Sequence, residues 1–478
     1  MITRIVLSDL HAGAKSSLLS HVDPGGHPAE CDPRDPSSMT TAFATALGAF
    51  LAEAGSRPQL CLLGDQLDLQ FSPRTRAFAS AEGFLRALSG TGCLQPRILA
   101  TAGNHDHALW TEARLGFERQ TLETGQGDPV YLDATGATEQ GGPAVAAPLL
   151  SALARRAGFD GADMRYPNIA FGAGQRAVIL HHGHFCEAPY RAVSTMLDAL
   201  GTARPPLDAG RLAAENAGWI DFLWATFGDA REMGEDAEDL YQRLLTSAGF
   251  RTLSDRWSRI AGDALGERLP RAGDRDLRSM LRAGLRVAMD ATLGRFRDTA
   301  RDGETTALAA AERLEIARYL TDICLPQLAD ETGATRPPGD VTFVLGHTHK
   351  PFASRVALPG RAPVTVCNTG GWPLNGPRLD NAEGAAMLLM DDALNVALLR
   401  LFKTPDNGVV PLAHIEMPHT DDAGARRFRD RIARCFAATR SAWQEVADVA
   451  GREYLARQRM LLRLTGRSSD AGRGMAAE

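Results

Sequence analysis

Short apolar runs that end in polar or charged residues recur along the first part of the chain. Four of them lie at residues 4–11 (RIVLSDLH), 59–68 (QLCLLGDQLD), 97–107 (RILATAGNHDH) and 176–184 (RAVILHHGH). Segments with helical spacing of apolar residues lie between them, as at residues 40–55 and 80–90. Alternating buried strands and helices are typical of a layered α/β sheet, in which ligands gather at the carboxyl ends of the strands. The polar end of each run is therefore where function is expected.

The hydrophobic pattern changes further along the chain. Residues 190–335 have almost entirely helical spacing, which predicts a helical insertion. Strand-like runs return at residues 341–349, 362–372, 384–392 and 394–402. No helical segment separates these later runs, so we expect an antiparallel part of the sheet system.

The changes of pattern divide the chain into three parts. A discontinuous core is expected to comprise residues 1–189 and 336–418, and the helical insertion or cap to comprise residues 190–335. Residues 419–478 form the third part, an Arg-rich C-terminal helix and tail. We expect this helix to be solvated or packed on the core, with binding to an anionic surface as the alternative.

Composition and charge narrow the class of protein. The chain has 478 residues and a formal net charge of -6, which gives no support to general nucleic-acid binding. Its seven cysteines are scattered without a CxxC pair, which favours reduced thiols over a disulfide framework. Neither a signal sequence nor an apolar run long enough to span a membrane is seen, so we expect a soluble, cytoplasmic protein.

Polar residues follow the strand-like runs directly. The segment FVLGHTHKPF, at residues 343–352, leads directly into His347 and His349. Residues i and i+2 of a strand point to the same side, so the two imidazoles would project together if the strand pairing continued that far. The other strand ends carry Asp9 and His11, Asp65 and Asp68, Asn104, His105 and Asp106, and His182.

These carboxylate, imidazole and amide groups make a mixed set of nitrogen and oxygen donors. Such a set suits manganese, iron, zinc, cobalt or nickel more than a thiolate site would. This set offers more ligands than one tetrahedral ion can take. They suit two ions about 3.5–4 Å apart that share a bridging carboxylate, the arrangement that serves phosphoryl transfer. The sequence therefore predicts two divalent metal ions as cofactors, with manganese expected first.

The ordered motifs D-x-H, G-D-x-x-D, G-N-H-D, H-G-H and G-H-x-H resemble the calcineurin-like metallophosphoesterase superfamily, and they span residues 9–349. The resemblance implies a layered β-sandwich core flanked by helices. It implies one ion on Asp9, His11 and His349, a second on Asn104, His182 and His347, and Asp65 bridging the two. It also implies that His105 acts catalytically on the scissile phosphate or the leaving oxygen, and that Asp68 holds His105.

The neighbouring residues His181 and His182 leave a choice of ligand. The family's ligand is the histidine directly before glycine, so the resemblance selects His182. Glycines 64, 103, 183 and 346 accompany the motifs, where they would let the backbone turn sharply or approach the ions closely.

Some residues near the motifs have a structural alternative. Asp68 and Asp106 could cap the helices that follow them; the catalytic role is preferred for Asp68 and the structural role for Asp106. His107 and His184 lie beside predicted ligands, and contact with substrate is weighed equally against a supporting or surface position.

The most apolar part of the insertion, GWIDFLWATFG at residues 218–228, contains Trp219 and Trp224. A packed helix of a helical cap is the expected structure. The alternative is an apolar lid for acyl chains or a membrane surface, in line with a partial similarity to UDP-diacylglucosamine pyrophosphatases. Those proteins usually carry arginine where this chain has His105.

The implied chemistry is hydrolysis of a phosphoester. A hydroxide held between two dications is nucleophilic at neutral pH and would attack phosphorus in line. We therefore expect an enzyme, a metal-dependent hydrolase of a phosphomonoester, phosphodiester or pyrophosphate bond. Its substrate is expected to be a small or lipid-linked molecule, and peripheral contact with a membrane is left open. The alternatives are a DNA or RNA nuclease of the same superfamily, which would want a basic open groove, and a non-enzymatic partner-binding scaffold. A scaffold would have lost ligands, and none is missing.

Overall fold

The computed structural model describes residues 1–125, 135–199, 205–228, 307–374, 383–402, 413–416 and 422–464. Nearly all of these residues belong to one unit, Met1–Gly234 with Thr305–Met460. Within the described residues the chain is α/β, with two mixed sheets and helices.

Thirteen strands are seen in the described part of the chain. They are β1 (Ile2–Leu7), β2 (Gln59–Leu63), β3 (Arg97–Thr101), β4 (Val145–Ala146), β5 (Gly161–Met164), β6 (Asn168–Ala173), β7 (Arg176–His181), β8 (Asp340–Leu345), β9 (Phe352–Val356), β10 (Val364–Asn368), β11 (Ala386–Asp391), β12 (Val396–Arg400) and β13 (His414–Glu416). The four early strand-like runs of the sequence correspond to β1, β2, β3 and β7, which confirms those predictions.

The α-helices of the described residues are numbered in the same way. They are α1 (Ser38–Glu53), α2 (Arg74–Ser89), α3 (Ala108–Thr124), α4 (Pro148–Arg156), α5 (Ala192–Ala199), α6 (Ala209–Gly228), α7 (Ala310–Tyr319), α8 (Leu325–Thr332), α9 (Ala423–Ala438) and α10 (Arg440–Leu464). Helix α1 begins where the Ser37 side chain accepts a hydrogen bond from the backbone N–H of Thr40, a typical N-cap.

The first sheet has eight strands in the order β13-β12-β11-β1-β2-β3-β5-β4. Strands β1, β2, β3 and β5 run parallel, and β11 joins the other edge of β1 antiparallel. The second sheet has the order β6-β7-β8-β10-β9, with β7, β8 and β10 parallel and β6 and β9 antiparallel at its edges. The carboxyl ends of β1, β2 and β3 thus lie together, as do those of β7 and β8.

The antiparallel pairing expected for the later strands is seen for β11 and β12. For β8 and β10 it is wrong, because these two strands pair in parallel. The reason is β9, a short strand that returns alongside β10 as its antiparallel partner and so reverses the chain between β8 and β10.

One apolar cluster draws on both sheets. It contains Val6 and Leu63 from the first sheet and Val178, Leu180 and Val344 from the second, all of them buried. Strands buried on both faces need continuous apolar runs, and β2 has one in LCLL. The shared core fixes the two sheets against each other and thereby places the strand ends that carry the polar motifs.

The predicted helical insertion contains only helices among its described residues, namely α5, α6, α7 and α8 with short 3-10 and π segments. Residues 200–204 and 229–306 of it lie outside the described residues. Helix α7 ends at Tyr319, whose hydroxyl donates to the Asn168 side chain at the start of β6 (3.0 Å). The boundaries of the insertion at 190 and 335 remain a prediction.

The Arg-rich C-terminal segment forms two helices instead of one. Helix α9 ends at Ala438. The hydroxyl of the next residue, Thr439, donates to the Cys435 carbonyl (2.8 Å), and the Thr439 carbonyl accepts the N–H groups of Ala442 and Trp443 at the start of α10. One arginine of α10, Arg457, is fully buried. No helix among the described residues has the length and apolarity required to cross a bilayer.

Candidate metal centre

The predicted ligands lie in loops that leave the carboxyl ends of five strands. Asp9 and His11 follow β1, Asp65 follows β2, and Asn104 follows β3, in the first sheet; His182 follows β7, and His347 and His349 follow β8, in the second. Side chains up to 340 positions apart in sequence meet there, as the contact between the backbone N–H of His347 and the Asp9 carboxylate (2.9 Å) illustrates. The structure brings all seven predicted ligands into one region.

Asp9, His11 and His349 form the first group of metal-ligating side chains, with donor atoms within 4.8 Å of one another. The His349 Nε2 lies 3.4 Å from the Asp9 carboxylate and 3.2 Å from the His11 Nε2. Three donors that converge in this way, from residues that are buried or nearly so, fit a divalent cation.

Asp65, His182 and His347 form the second group. The His182 Nε2 lies 3.3 Å from the Asp65 carboxylate and 3.1 Å from the Asn104 side-chain oxygen, which brings the fourth predicted ligand into the same group. The Nδ1 of His182 is held at 2.9 Å from the Leu63 carbonyl. Donation from Nδ1 to that carbonyl leaves Nε2 with a lone pair for a metal, the usual arrangement of a ligating histidine.

Asp65 stands between the two groups. Its Oδ2 lies 3.3 Å from the His182 Nε2 and 3.5 Å from the His11 Nε2. The other oxygen, Oδ1, accepts the backbone N–H of His105 at 2.8 Å. A carboxylate in this position fits the bridging role that the resemblance implies.

His105 and Asp68 adjoin the two groups without belonging to either. The Asp68 carboxylate lies 3.6 Å from the His105 Nδ1 and 3.5 Å from the His11 Nδ1, and these three also form a candidate metal-binding group. Burial would raise the pKa of Asp68, but the adjacent imidazoles of His105 and His11 outweigh it and hold the pKa well below its usual range. An ionised Asp68 at these distances is placed to orient both imidazoles, and its role in holding His105 stays a prediction.

The helix-capping alternatives for Asp68 and Asp106 are wrong. The Asp68 side chain accepts the N–H groups of Gln70 and Phe71 in a turn that precedes α2. Asp106 is fully buried, and its carboxylate accepts four backbone N–H groups, from Gly103, Asp65, Gln66 and Leu67. Asp106 thus has a structural role, as preferred, but it ties the β2 loop to the β3 loop instead of starting a helix.

The backbone at the ligands adopts an uncommon conformation. Six non-glycine residues with positive φ are seen in the described part of the chain, and five of them are Asp9 (49°), His11 (44°), Asp65 (51°), His347 (69°) and His349 (58°). Side chains other than glycine enter this region at a cost of about 1–3 kcal/mol each, and such residues cluster at functional sites. Surrounding contacts therefore hold these residues in a backbone conformation that they would not adopt on their own.

The motif glycines approach ligand side chains closely, as Gly103 and Gly346 show. A Cβ at Gly103 would clash with the Asp65 carboxylate, and one at Gly346 would clash with the Asp9 carboxylate. At these positions the backbone approaches ligand side chains closely, while the predicted approach to the ions themselves stays a prediction.

Charge at the site is balanced among buried groups. Burial would raise the pKa of Asp65, but His182 and His105 lower it well below its usual range. Burial lowers the pKa of His182, yet Asp65 raises it more, to about 10. Three buried carboxylates, Asp9, Asp65 and Asp68, require cationic partners. Divalent ions would provide that charge, so the residues present fit a metal site.

His107, His181 and His184 are all buried close to the centre. The His181 Nδ1 bonds the Pro167 carbonyl (2.9 Å), so the structure brings His182, and not its neighbour, to the predicted ligands. His184 bonds the Tyr166 hydroxyl (3.0 Å), which is a supporting position. His107 instead bonds Asp221 of α6 (2.7 Å) and lines an adjoining cleft.

Two residues at the site were missed by the sequence analysis. The Glu187 carboxylate lies 3.3 Å from the His347 Nε2, and the Gln70 side chain donates to the Asn104 carbonyl (2.6 Å). Glu187 lies five residues beyond His182. An acidic residue so close to a predicted ligand was the sequence signal that could have marked it as part of the site. Gln70 follows the GDxxD motif by two positions, and no pattern marks it.

A cleft of about 620 Å³ adjoins the site. Asn104 and His105 line it together with residues of α3 and α6. This cleft gives the centre a space next to His105 that can hold part of an organic molecule.

Comparison of the sequence with models of known protein families gives no match, and comparison with curated proteins gives none either. The case for a function rests on the residues of the chain itself.

Proposed function

We propose that this protein is a divalent-metal-dependent phosphoester hydrolase of the calcineurin-like metallophosphoesterase superfamily. The observation that carries the proposal is the convergence of two groups of ligating side chains around the Asp65 carboxylate. The five motifs of the resemblance meet at the carboxyl ends of β1, β2, β3, β7 and β8, in loops of the kind where α/β proteins bind ligands. The layered β-sandwich with a helical insertion belongs to the same proposal.

Each metal would have its own protein ligands. Asp9, His11 and His349 would hold one ion, and Asn104, His182 and His347 the other, with Asp65 shared. When bound, two such ions supply Lewis-acid chemistry that neutralises charge on phosphoryl oxygens and makes water a better nucleophile at neutral pH. The nitrogen and oxygen donors favour manganese first, with iron, zinc, cobalt or nickel as alternatives.

His105 would act on the phosphoryl group. Its Nδ1 faces the Asp68 carboxylate, which favours a proton on that nitrogen and fixes the orientation of the ring. Burial lowers the pKa of His105, but Asp65 and Asp68 raise it above the usual value, so the imidazolium is favoured. A protonated His105 can stabilise negative charge on the phosphoryl or leaving oxygen as the phosphorus–oxygen bond breaks.

Metal content and hydrolysis together test the proposal. Protein stripped of metal and then reloaded with manganese, iron, zinc, cobalt or nickel is assayed on chromogenic phosphomonoesters, phosphodiesters and a pyrophosphate. Single-stranded DNA and RNA are included to detect a nuclease. We expect up to two ions per chain and hydrolysis that depends on them. No turnover on any ester by fully loaded protein would overturn the proposal and favour a partner-binding scaffold.

Matched variants connect the activity to the site. Asp9→Asn should abolish hydrolysis and lower metal content, whereas Asp392→Asn, at an exposed position in the turn after β11, should leave both unchanged. His105→Ala should retain the metals and lower kcat, because His105 is not in either ligand set. An equal loss of metal in His105→Ala would show that its role is assigned wrongly.

A further inference from the structure

The cleft beside the candidate metal centre is continuous with it. Asn104 and His105 line the cleft, and the Asn104 side chain lies 3.1 Å from the His182 Nε2. A group in the cleft would therefore be adjacent to a phosphoryl group held at the metal centre. The volume of about 620 Å³ falls in the range of sites that hold organic molecules.

Apolar side chains form much of the lining of the cleft. Leu69, Leu115, Pro148 and Ile220 contribute to it. Leu115, on α3, is 52% exposed, although leucine gains free energy by leaving water. A single exposed leucine is ordinary, but Leu115 lies in a concave surface with other apolar residues. A ligand with an apolar surface would bury it.

The acidic side chains of the lining already have partners in the protein. Asp221 accepts hydrogen bonds from His107 (2.7 Å) and Thr111 (3.3 Å), and Glu112 accepts the Leu149 backbone N–H (3.0 Å). The cleft also includes Arg74 and Arg119, both exposed, whose charge suits the approach of an anionic ester.

The position of His105 relates the cleft to the bond that breaks. In hydrolysis the water oxygen bonds to phosphorus, the bond from phosphorus to the leaving oxygen breaks, and the leaving oxygen takes up a proton. If His105 acts on the leaving oxygen, the group attached to that oxygen extends from His105 into the cleft.

We propose that this cleft binds the leaving group of the phosphoester, and that the leaving group is an organic group with an extended apolar surface. This assignment depends on the proposed hydrolase function and names its substrate class. Leu115 is then a specificity-determining residue, because the metal-facing groups recognise any phosphoryl group and cannot distinguish leaving groups.

Esters with matched leaving-group chemistry test the assignment. Phenol and 4-hexylphenol have nearly the same acidity, so their phosphomonoesters and methyl phosphodiesters differ mainly in apolar length. With manganese-loaded protein we expect kcat/KM for the hexylphenyl ester to exceed that for the phenyl ester by about 10-fold or more. Binding of the non-hydrolysable phenyl- and 4-hexylphenylphosphonates is measured by calorimetry in parallel.

Two exposed leucines of α3 provide a matched pair of variants. Leu115 lines the cleft, and Leu122, 63% exposed, is not part of the lining. We expect Leu115→Gln and Leu115→Ala to reduce the hexylphenyl preference at least about 5-fold with little change for the phenyl ester. Leu122→Gln should leave the preference unchanged, and a melting curve for each variant checks that it is folded.

The outcomes separate this assignment from the hydrolase function. Hydrolysis without chain-length preference, or an equal effect of the two leucine variants, would overturn the cleft assignment and leave the hydrolase standing. Absence of hydrolysis together with preferential binding of hexylphenylphosphonate that Leu115→Gln removes would overturn the hydrolase and retain an apolar ligand site. Equal binding of both phosphonates without hydrolysis would overturn both.

Discussion

A single carboxylate, Asp65, connects the two groups of ligands at the strand ends. It is 1% exposed and lies within 3.5 Å of an imidazole from each group. Its neighbours make its ionised form the stable one despite burial, since His182 and His105 both favour the charge. The charge on this side chain therefore supports both candidate metal positions at once.

Replacing Asp65 with asparagine should weaken metal binding in both positions. The substitution keeps the shape of the side chain and removes the negative charge that two dications would share. We expect metal per chain, measured by elemental analysis after dialysis, to fall for both ions. Retention of one ion at unchanged affinity would argue against a shared ligand.

Gly346 allows the closest backbone approach to Asp9. Because an added Cβ would clash with the Asp9 carboxylate, Gly346→Ala should displace a first-group ligand and lower metal affinity at least about 10-fold. Gly339→Ala is the control, since a Cβ there meets no atom within 4 Å. Calorimetric titration of both metal-free variants with manganese makes the comparison. Similar manganese affinities in the two variants would show that metal binding does not depend on the close approach of the Gly346 backbone to Asp9.

The identity of the candidate site residues was largely predictable from the sequence. Asp9, Asp65 and His182 occupy motifs whose positions directly follow apolar strands, and the structure brings them together. Glu187 could not be predicted in the same way. It lies between two short 3-10 turns that follow β7, next to His347, and hydrophobic periodicity carries no information about such turns.

At the scale of elements, the Asp221 carboxylate joins α6 to the first turn of α3 and to the residue before it. Asp221 of α6 bonds His107 and Thr111, and Ile220 beside it lines the cleft. Trp219, on the same helix, donates its indole N–H to the Pro189 carbonyl (2.9 Å). This bond is compatible with the packed-helix expectation for Trp219; the side chain of Trp224 lies outside the described residues.

Removing the Asp221 carboxylate should loosen α6. We expect Asp221→Ala to lower the local stability of α6 by about 1–2 kcal/mol, since a charged hydrogen bond is lost from a partly exposed position. Amide hydrogen exchange would rise for residues 212–222 and remain unchanged in α4. Asp221→Asn, which keeps an acceptor for His107, should exchange at a rate between those of the wild type and Asp221→Ala. Unchanged exchange in Asp221→Ala would exclude the contact as a determinant of the helix position.

The strands and helices differ in how well the sequence specifies them. Strands such as β2 and β3 are apolar and end sharply, so their positions were predicted to within a few residues. The start of α2 was placed six residues too late, at 80 instead of Arg74, because its first turn is polar. The parallel pairing of β8 with β10 depends on β9, and strand order is a property of tertiary packing that periodicity does not encode.

At the scale of the whole molecule, a buried arginine of α10 holds the loop after β1. The Arg457 guanidinium donates to the carbonyls of Ser17 (2.6 Å) and Ser20 (2.6 Å) and pairs with Glu453. The Ser17 hydroxyl in turn bonds the carbonyl of Leu10, the residue between Asp9 and His11. Through these bonds the C-terminal helix supports the first group of ligands.

Replacing Arg457 should therefore affect both stability and the site. Arg457→Met leaves buried carbonyls without donors, and we expect a loss of about 3 kcal/mol in the free energy of unfolding. Manganese affinity should fall as well, because the Asp9 and His11 loop loses its support. Arg452→Met, at a 65% exposed position of the same helix, should change stability by less than about 0.5 kcal/mol. Chemical denaturation and metal titration measure both effects, and equal behaviour of the two variants would contradict the supporting role.

The bond between Arg457 and Ser17 joins residues 440 positions apart. A growing chain leaves the ribosome from its N-terminus, so the loop that carries Asp9 and His11 is synthesised long before the residue that holds it. His347 and His349 also emerge late, and contacts of such long sequence separation form slowly. Metal loading is therefore expected to follow synthesis of α10, because the loop that carries Asp9 and His11 has its support only after Arg457 has been made.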